Sequence, residues 1–365
     1  MKPVPSLLAA MTLSLASASH AQLPSSCIFA PPEPCLYTPT PGFQAGQFDF
    51  LLQDPARGNH PVPLRVYYPI GAAGARPVVL WHHGGGSEDP AQPGSNQSSS
   101  AERGKSHAEA GYVSIHIIRR VVANPTTAEL EICVQARVLP TITAGGVSLA
   151  NCKDFLGSQI NGPKNTAFVR SLLPLYTVGM LPNFPGTLDL TRIVVGGWSG
   201  GTGIVYSHAG LTRQWGNHTE PPTPIAGVVA FTADAPQGPS YAGFSGGGFG
   251  EDAYYAIDAR PFMFFSGRGD ETGEPAEARL AGWIASTPGN KYLSWVNSKD
   301  AIHATMDIGA SGCTGGVLPD ICRWHKAAGQ AFLDAAVINR PAAQDWLKSD
   351  AYRTLTGGLI ELNRR

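Results

Sequence analysis

Charge is scarce in this chain. Asp, Glu, Lys and Arg make up 15% of its 365 residues, and the formal net charge is -1. A nucleic-acid surface needs a basic excess, and the composition holds none, so a nucleic-acid partner is excluded from the reading. Long apolar runs are missing too: past the N-terminus nothing approaches the ~18 uninterrupted apolar residues that make a bilayer span, and stable membrane insertion is not expected. The six cysteines include no CxxC pair, and HExxH does not occur, which leaves a zinc site without support. No metal and no cofactor is expected. Internal repeats and interdomain linkers are absent as well, so residues 46–365 read as one domain, expected to act as a monomer.

What is present begins with an export signal. Lys2 supplies a positive start, Leu7 to Ala18 a short apolar stretch, and Ser19-His20-Ala21 a small-residue cleavage site. Residues 1–21 therefore read as a signal peptide of a secreted protein, periplasmic or extracellular. All six cysteines lie beyond it, an even count that favours disulfides in an oxidising compartment. They fall into three local couples, and the expected bridges are Cys27 to Cys35, Cys133 to Cys152 and Cys313 to Cys322. Residues 22–45 form a Pro- and Cys-rich lead-in.

An apolar fraction of 43% suffices for one large core. Strand signatures occur at Gly46–Leu52, Leu64–Tyr68, Pro77–Trp81, Tyr112–Ile117, Arg192–Val195, Ile225–Phe231, Pro261–Phe265 and Lys291–Val296. Helical spacing occurs at Ala101–Ala110, Asn165–Met180, Gly201–Thr212, Ala276–Ala285, Cys322–Ile338 and Pro341–Leu347. The alternation predicts an α/β fold, a mainly parallel central sheet with helices on both faces. Residues 120–160 lack clear periodicity and read as an insertion.

The β-branched run Ile193-Val194-Val195 feeds into Gly197-Trp198-Ser199-Gly200-Gly201 and then into a helix-compatible segment. A serine on so sharp a strand-to-helix turn needs glycines two positions either side, because side chains there would strike the strand and the helix. A glycine-rich chain makes GxSxG by accident, and a second copy stands at Gly243-Phe244-Ser245-Gly246-Gly247. That copy lies in a Pro- and Gly-rich stretch with no credible strand before it, so Ser245 reads as loop.

A serine hydroxyl needs a base within reach and a carboxylate to orient that base. In a strand-turn-helix nucleophile architecture these follow in the order acid, then histidine. The strand Pro261–Phe265 empties into Ser266-Gly267-Arg268-Gly269-Asp270, and Lys291–Val296 empties into a loop ending at His303. Asp270 and His303 are the favoured partners of Ser199. Asp234 and Glu271 are rivals for the acid, and His325 reads as a surface or packing histidine. The oxyanion of a tetrahedral intermediate needs backbone donors. Gly200 offers one amide, and Gly85, or failing it Gly84, offers the other from the His83-Gly84-Gly85-Gly86 turn.

On these residues the chain resembles the α/β-hydrolase superfamily over roughly residues 46–362. It is similar to exported dienelactone-hydrolase-like esterases, a group that includes platelet-activating-factor-acetylhydrolase-like enzymes and polyester hydrolases. The likeness is carried by Leu64-Arg65-Val66-Tyr67-Tyr68-Pro69, His83-Gly84-Gly85, Leu188 to Ile193 ahead of the serine motif, and Gly267-Arg268-Gly269-Asp270. Trp198 departs from the His that many of these esterases place before the nucleophile and is similar to the polyester hydrolases. The resemblance implies that Trp198 lines the substrate cleft, and that polyester or lipid-like acyl esters are among the substrates. The aromatic-rich loop 236–260 is a candidate wall or lid of the cleft, the alternative being that its aromatics pack the loop onto the sheet; the Cys133–Cys152 insertion is foreign to the pattern.

The expected protein is a secreted serine hydrolase cleaving a small-molecule or polymeric carboxylic ester. A serine peptidase or acyltransferase of the same fold remains open, since a triad does not choose its acceptor. So does a non-catalytic exported binding protein.

Overall fold

The computed structural model describes residues 36–38, 42–85, 87, 100–175, 181, 183–225, 229–232, 257, 260–271, 275–307 and 318–365. The signal peptide, Cys27, Cys35, Gly86, Asp234, Ser245, most of the 236–260 loop and Cys313 lie outside the described residues.

The strands are β1 (Ala45–Asp54), β2 (His60–Pro69), β3 (Ala75–His82), β4 (Val113–Ile117), β5 (Thr187–Gly197), β6 (Arg213–Trp215), β7 (His218–Glu220), β8 (Val229–Thr232), β9 (Phe262–Gly267), β10 (Lys291–Val296) and β11 (Ile360–Arg364). Nine of them form one sheet in the order β1-β2-β4-β3-β5-β8-β9-β10-β11, and β6 and β7 make a separate hairpin. The five pairings from β4 to β10 are parallel. β1 with β2, β2 with β4, and β10 with β11 are antiparallel. The sheet is therefore mixed: parallel in the middle, where both faces are covered, and antiparallel at both margins.

The helices are α1 (Ala101–Glu109), α2 (Thr127–Gln135), α3 (Gly146–Phe155), α4 (Asn161–Leu172), α5 (Thr202–His208), α6 (Ala281–Ala285), α7 (Leu318–Ala336), α8 (Pro341–Lys348) and α9 (Ala351–Leu355). Successive strand residues point to opposite faces, and β3 shows what that dictates. Val78 and Leu80 enter a core with Ile193, Val195, Val169 of α4 and Val205 of α5. Val79 and Trp81 enter a second core with Val194, Phe265, Phe332 of α7 and Trp346 of α8. A continuous apolar run is thus a strand buried on both sides, and each fully buried Val or Phe there contributes about 2 kcal/mol.

Two expectations need correction. Residues 120–160, which show no clear periodicity in sequence, hold regular helices: Thr126 caps α2 through a capping box with Glu129, α3 follows, and a π-helical turn, Leu156–Ile160, runs into α4. Their apolar residues obey no simple stripe because they fill a small separate core of Cys133, Leu139, Cys152, Phe155, Ile160 and Trp215. The Cys133–Cys152 disulfide closes that core. Cys322 is also disulfide-bonded. The second correction is to α5, which stops at His208, short of Thr212. Gly210 follows at φ +102°, a left-handed stop that glycine adopts without steric cost.

Among the described residues, no helix is long and apolar enough to cross a membrane.

Candidate active site

Parallel strands deliver their carboxyl ends to one edge of a sheet. β3, β5, β9 and β10 there release the turn at Gly84, the turn at Ser199, the loop of Asp270 and the loop of His303, respectively.

The nucleophile candidate sits on a one-turn 3-10 segment, Ser199–Gly201, between β5 and α5. Its φ is +52°, in the left-handed region, which costs a non-glycine residue about 1–2 kcal/mol. The surroundings hold it there: the Trp198 amide donates to His82 O at 3.1 Å, the Gly201 amide to Trp198 O at 2.8 Å, and Thr202 Oγ1 to Ser199 O at 2.6 Å. The flanking glycines are a packing requirement. A Cβ on Gly197 would fall 2.7 Å from Gly201 O, and one on Gly201 would collide with His82 O.

Ser199, His303 and Asp270 form one hydrogen-bonded line. His303 Nε2 is 2.7 Å from Ser199 Oγ, and His303 Nδ1 is 2.8 Å from Asp270 Oδ1. A carboxylate only accepts, so Nδ1 carries the proton and Nε2 is left to accept from the serine hydroxyl. Asp270 is fully buried. Its carboxylate also receives Ser266 Oγ at 3.3 Å and lies 3.2 Å from Arg279 Nε, which donates to Asp270 O at 2.8 Å. An isolated bridge between Gly269 and Ile302 ties the Asp270 loop to the His303 loop.

Two of the rivals, Glu271 and His325, are placed elsewhere. Glu271 is exposed and paired with Lys299. His325 is fully buried, edge-on to the Phe265 ring at 4.8 Å between centroids, and burial pushes its pKa down to about 3. It is a neutral packing residue, not a surface one.

Gly84 and Gly85 follow β3, and Gly85 has φ +70°. Their carbonyls are turned into the protein: Gly84 O accepts from His83 Nδ1 at 2.7 Å, and Gly85 O from Arg119 Nη2 at 2.9 Å. Arg119 Nη2 also donates to His83 O at 2.6 Å. In a trans peptide C=O and N–H point opposite ways, so drawing Gly84 O inward turns the Gly85 amide outward. Gly200 faces this turn; a Cβ there would lie 2.7 Å from Gly85 O. Gly84, Gly85 and Gly200 are thus gathered beside Ser199.

His83 and Arg119 are almost fully buried. Burial, reinforced by the Arg119 charge, holds His83 well below its ordinary pKa, so it is neutral. Its Nε2 then accepts the Arg119 backbone N–H at 3.2 Å. Burial also lowers Arg119, to about 10, which leaves it cationic at neutral pH. The sequence reading missed Arg119; its only signal is a basic pair, Arg119-Arg120, directly after an apolar strand.

Trp198 stands against the turn, where any side chain on Gly84 would strike its ring. Among the described residues, no group of three or more His, Cys, Asp or Glu is arranged to hold a metal ion. The aromatics of the 236–260 loop lie outside the described residues. As it stands, the arrangement can remove a proton from the Ser199 hydroxyl and offer backbone donors to a neighbouring anion. No protein-family model and no curated protein matches this chain.

Proposed function

We propose that this chain is a secreted serine esterase on an α/β-hydrolase fold, cleaving carboxylic esters through an acyl-enzyme on Ser199. The observation that carries the reading is His303 bridging Ser199 Oγ and Asp270 Oδ1 at 2.7 and 2.8 Å. The strand order and the Ser199 turn support the fold assignment.

In the proposed reaction Ser199 Oγ attacks the ester carbonyl carbon while His303 Nε2 takes the hydroxyl proton. The oxyanion that forms faces the Gly85 and Gly200 amides. Collapse breaks the bond to the alcohol, which leaves with the proton held by His303. A water then repeats the sequence on the acyl-enzyme and releases the acid. Asp270 stays ionised, holding the imidazole and offsetting its transient positive charge. The buried disulfide fits an oxidising compartment, in keeping with secretion.

A fluorophosphonate probe followed by peptide mapping tests the assignment, together with turnover of short nitrophenyl esters. Ser199 should carry the label, and Ser199→Ala should lose about 1,000-fold or more in kcat. Label on another residue, or unchanged turnover in Ser199→Ala, would remove Ser199 from this role. Amide cleavage outrunning ester cleavage would shift the reading to a peptidase. A nitrophenyl ester series extended to a polyester film would define the acyl group.

A further inference from the structure

The disulfide-closed segment from α2 to the π-helical turn touches the turn at Gly84 directly. Asp154, two residues after Cys152, accepts the backbone amide of Ser87 through Oδ1, and its carbonyl accepts Ser87 Oγ at 3.2 Å. The fit continues one turn on. Gly157 lies so close to Arg120 O and Ser87 Oγ that a Cβ there would collide with both. The Val122 amide donates to Lys153 O at 3.1 Å, pinning the chain after Arg119 to the same helix. Asp154 also acts electrostatically on Arg119, whose guanidinium holds the His83 and Gly85 carbonyls.

The turn is therefore gripped from two sides by groups of opposite character. A cation, Arg119, takes carbonyls; a carboxyl group, Asp154, takes an amide. Arg119 holds the peptide planes that carry His83 O and Gly85 O, and Asp154 holds the plane that carries the Ser87 amide, so the turn is fixed at its exit as well as at its start. Glycine planes have no side chain to fix their own rotation, so they need an outside support. π-helical turns are rare and cluster at functional sites. Here one places Gly157 one turn beyond Asp154, with its bare Cα against the loop.

We propose that the stretch directly after Cys152, the end of α3 and the π-helical turn, is the outer support of the oxyanion turn, and that Asp154 is its positioning residue. The proposal rests on the esterase reading for the function of that turn. The segment joins catalysis without touching substrate: by anchoring Ser87 it keeps the exit of the turn in place, so that the Gly85 amide, aimed by the His83 bond to Gly84 O, holds its direction.

The test compares wild-type protein with Asp154→Ala and Asp154→Asn, the second of which keeps an acceptor oxygen for Ser87. Asp154→Ala should lower kcat on a short nitrophenyl ester by about tenfold, with KM changed less than about twofold, because the lost interaction acts on the transition state. Asp154→Asn should recover most of that loss. A boronic acid that mimics the tetrahedral intermediate should weaken in proportion to kcat. Amide hydrogen exchange over residues 83–87, read by mass spectrometry, should accelerate in Asp154→Ala and not in Asp154→Asn. Unchanged kcat with unchanged exchange, or a loss confined to KM, overturns the proposal. A wild-type protein inert to every ester overturns the esterase reading instead, and the exchange measurement still decides whether Asp154 holds the turn.

Discussion

The Trp198 indole Nε1–H donates to the backbone carbonyl of His303 at 3.2 Å, and the two rings lie tilted with centroids 5.5 Å apart. The residue ahead of the nucleophile candidate thus fixes the base candidate as well. The same indole occupies the space that Gly84 leaves open, so one side chain joins the Ser199 turn, the His303 loop and the turn at Gly84. That gives Trp198 a structural task beyond the cleft-lining role implied by resemblance.

Trp198→Phe keeps an apolar ring but removes the bond to His303 O. It should lower kcat by about tenfold while the fold persists, since a misplaced base costs rate before it costs stability. Steady-state kinetics with a parallel thermal melt checks this. Unchanged kcat would reduce Trp198 to a wall of the cleft.

Arg119→Lys keeps a positive charge and should still fail. A single nitrogen, Arg119 Nη2, reaches both His83 O and Gly85 O. The lysine stem is shorter and its ammonium lacks a planar guanidinium to set its position, so it does not meet both carbonyls. A loss of about tenfold in kcat is expected, with the melting temperature lowered because the vacated carbonyls are buried. Full activity in Arg119→Lys would show that charge alone sustains the turn.

The Cys133–Cys152 bridge spans 19 residues. Opening a loop of this length by a double Cys→Ser change should cost about 3 kcal/mol in urea unfolding. Both sulfurs belong to buried residues, so dithiothreitol should leave the folded protein active and act only once it unfolds. Rapid inactivation of the folded protein by the reductant would contradict this.

Stability should fall in mild acid. Burial holds His208 at about 4 and His325 at about 3, and holds His82, His83 and His107 well below 6.5. The unfolded chain takes up protons at these histidines first, so their contribution is complete above pH 6.5 and is lost as pH drops toward 4. For His208 alone the loss is about 3 kcal/mol. Asp307 opposes this: burial raises it from 3.8 to about 6, so its contribution is complete below pH 3.8 and lost as pH rises through 6. Burial raises the Asp334 carboxyl as well, and two carboxyls do not offset five histidines. A urea midpoint that holds steady between pH 6.5 and 4.5 would contradict the buried neutral histidines.

Much of the sheet was legible because burial on both faces writes itself as a continuous apolar run. Val78 to Trp81 and Phe262 to Phe265 admit few other readings at their length. The margins were not legible in the same way. β11 is five residues, Ile-Glu-Leu-Asn-Arg, with one partner strand and little burial beyond Ile360. The helices of 127–155 hid for a related reason: their apolar residues answer to a small core closed by a disulfide rather than to the sheet.

The sequence by itself determined the order of the candidate residues: a serine on a glycine-flanked turn, then an aspartate and a histidine after two later strands. Periodicity and glycine placement are local properties, and local sterics enforce them. Only the tertiary structure decided that Asp270 rather than Glu271 faces His303, that Trp198 grips the base loop, and that Arg119 and Asp154 hold the turn at Gly84 from opposite sides. Those choices depend on which side chains meet across separate elements, and no spacing along one strand or helix encodes such a meeting.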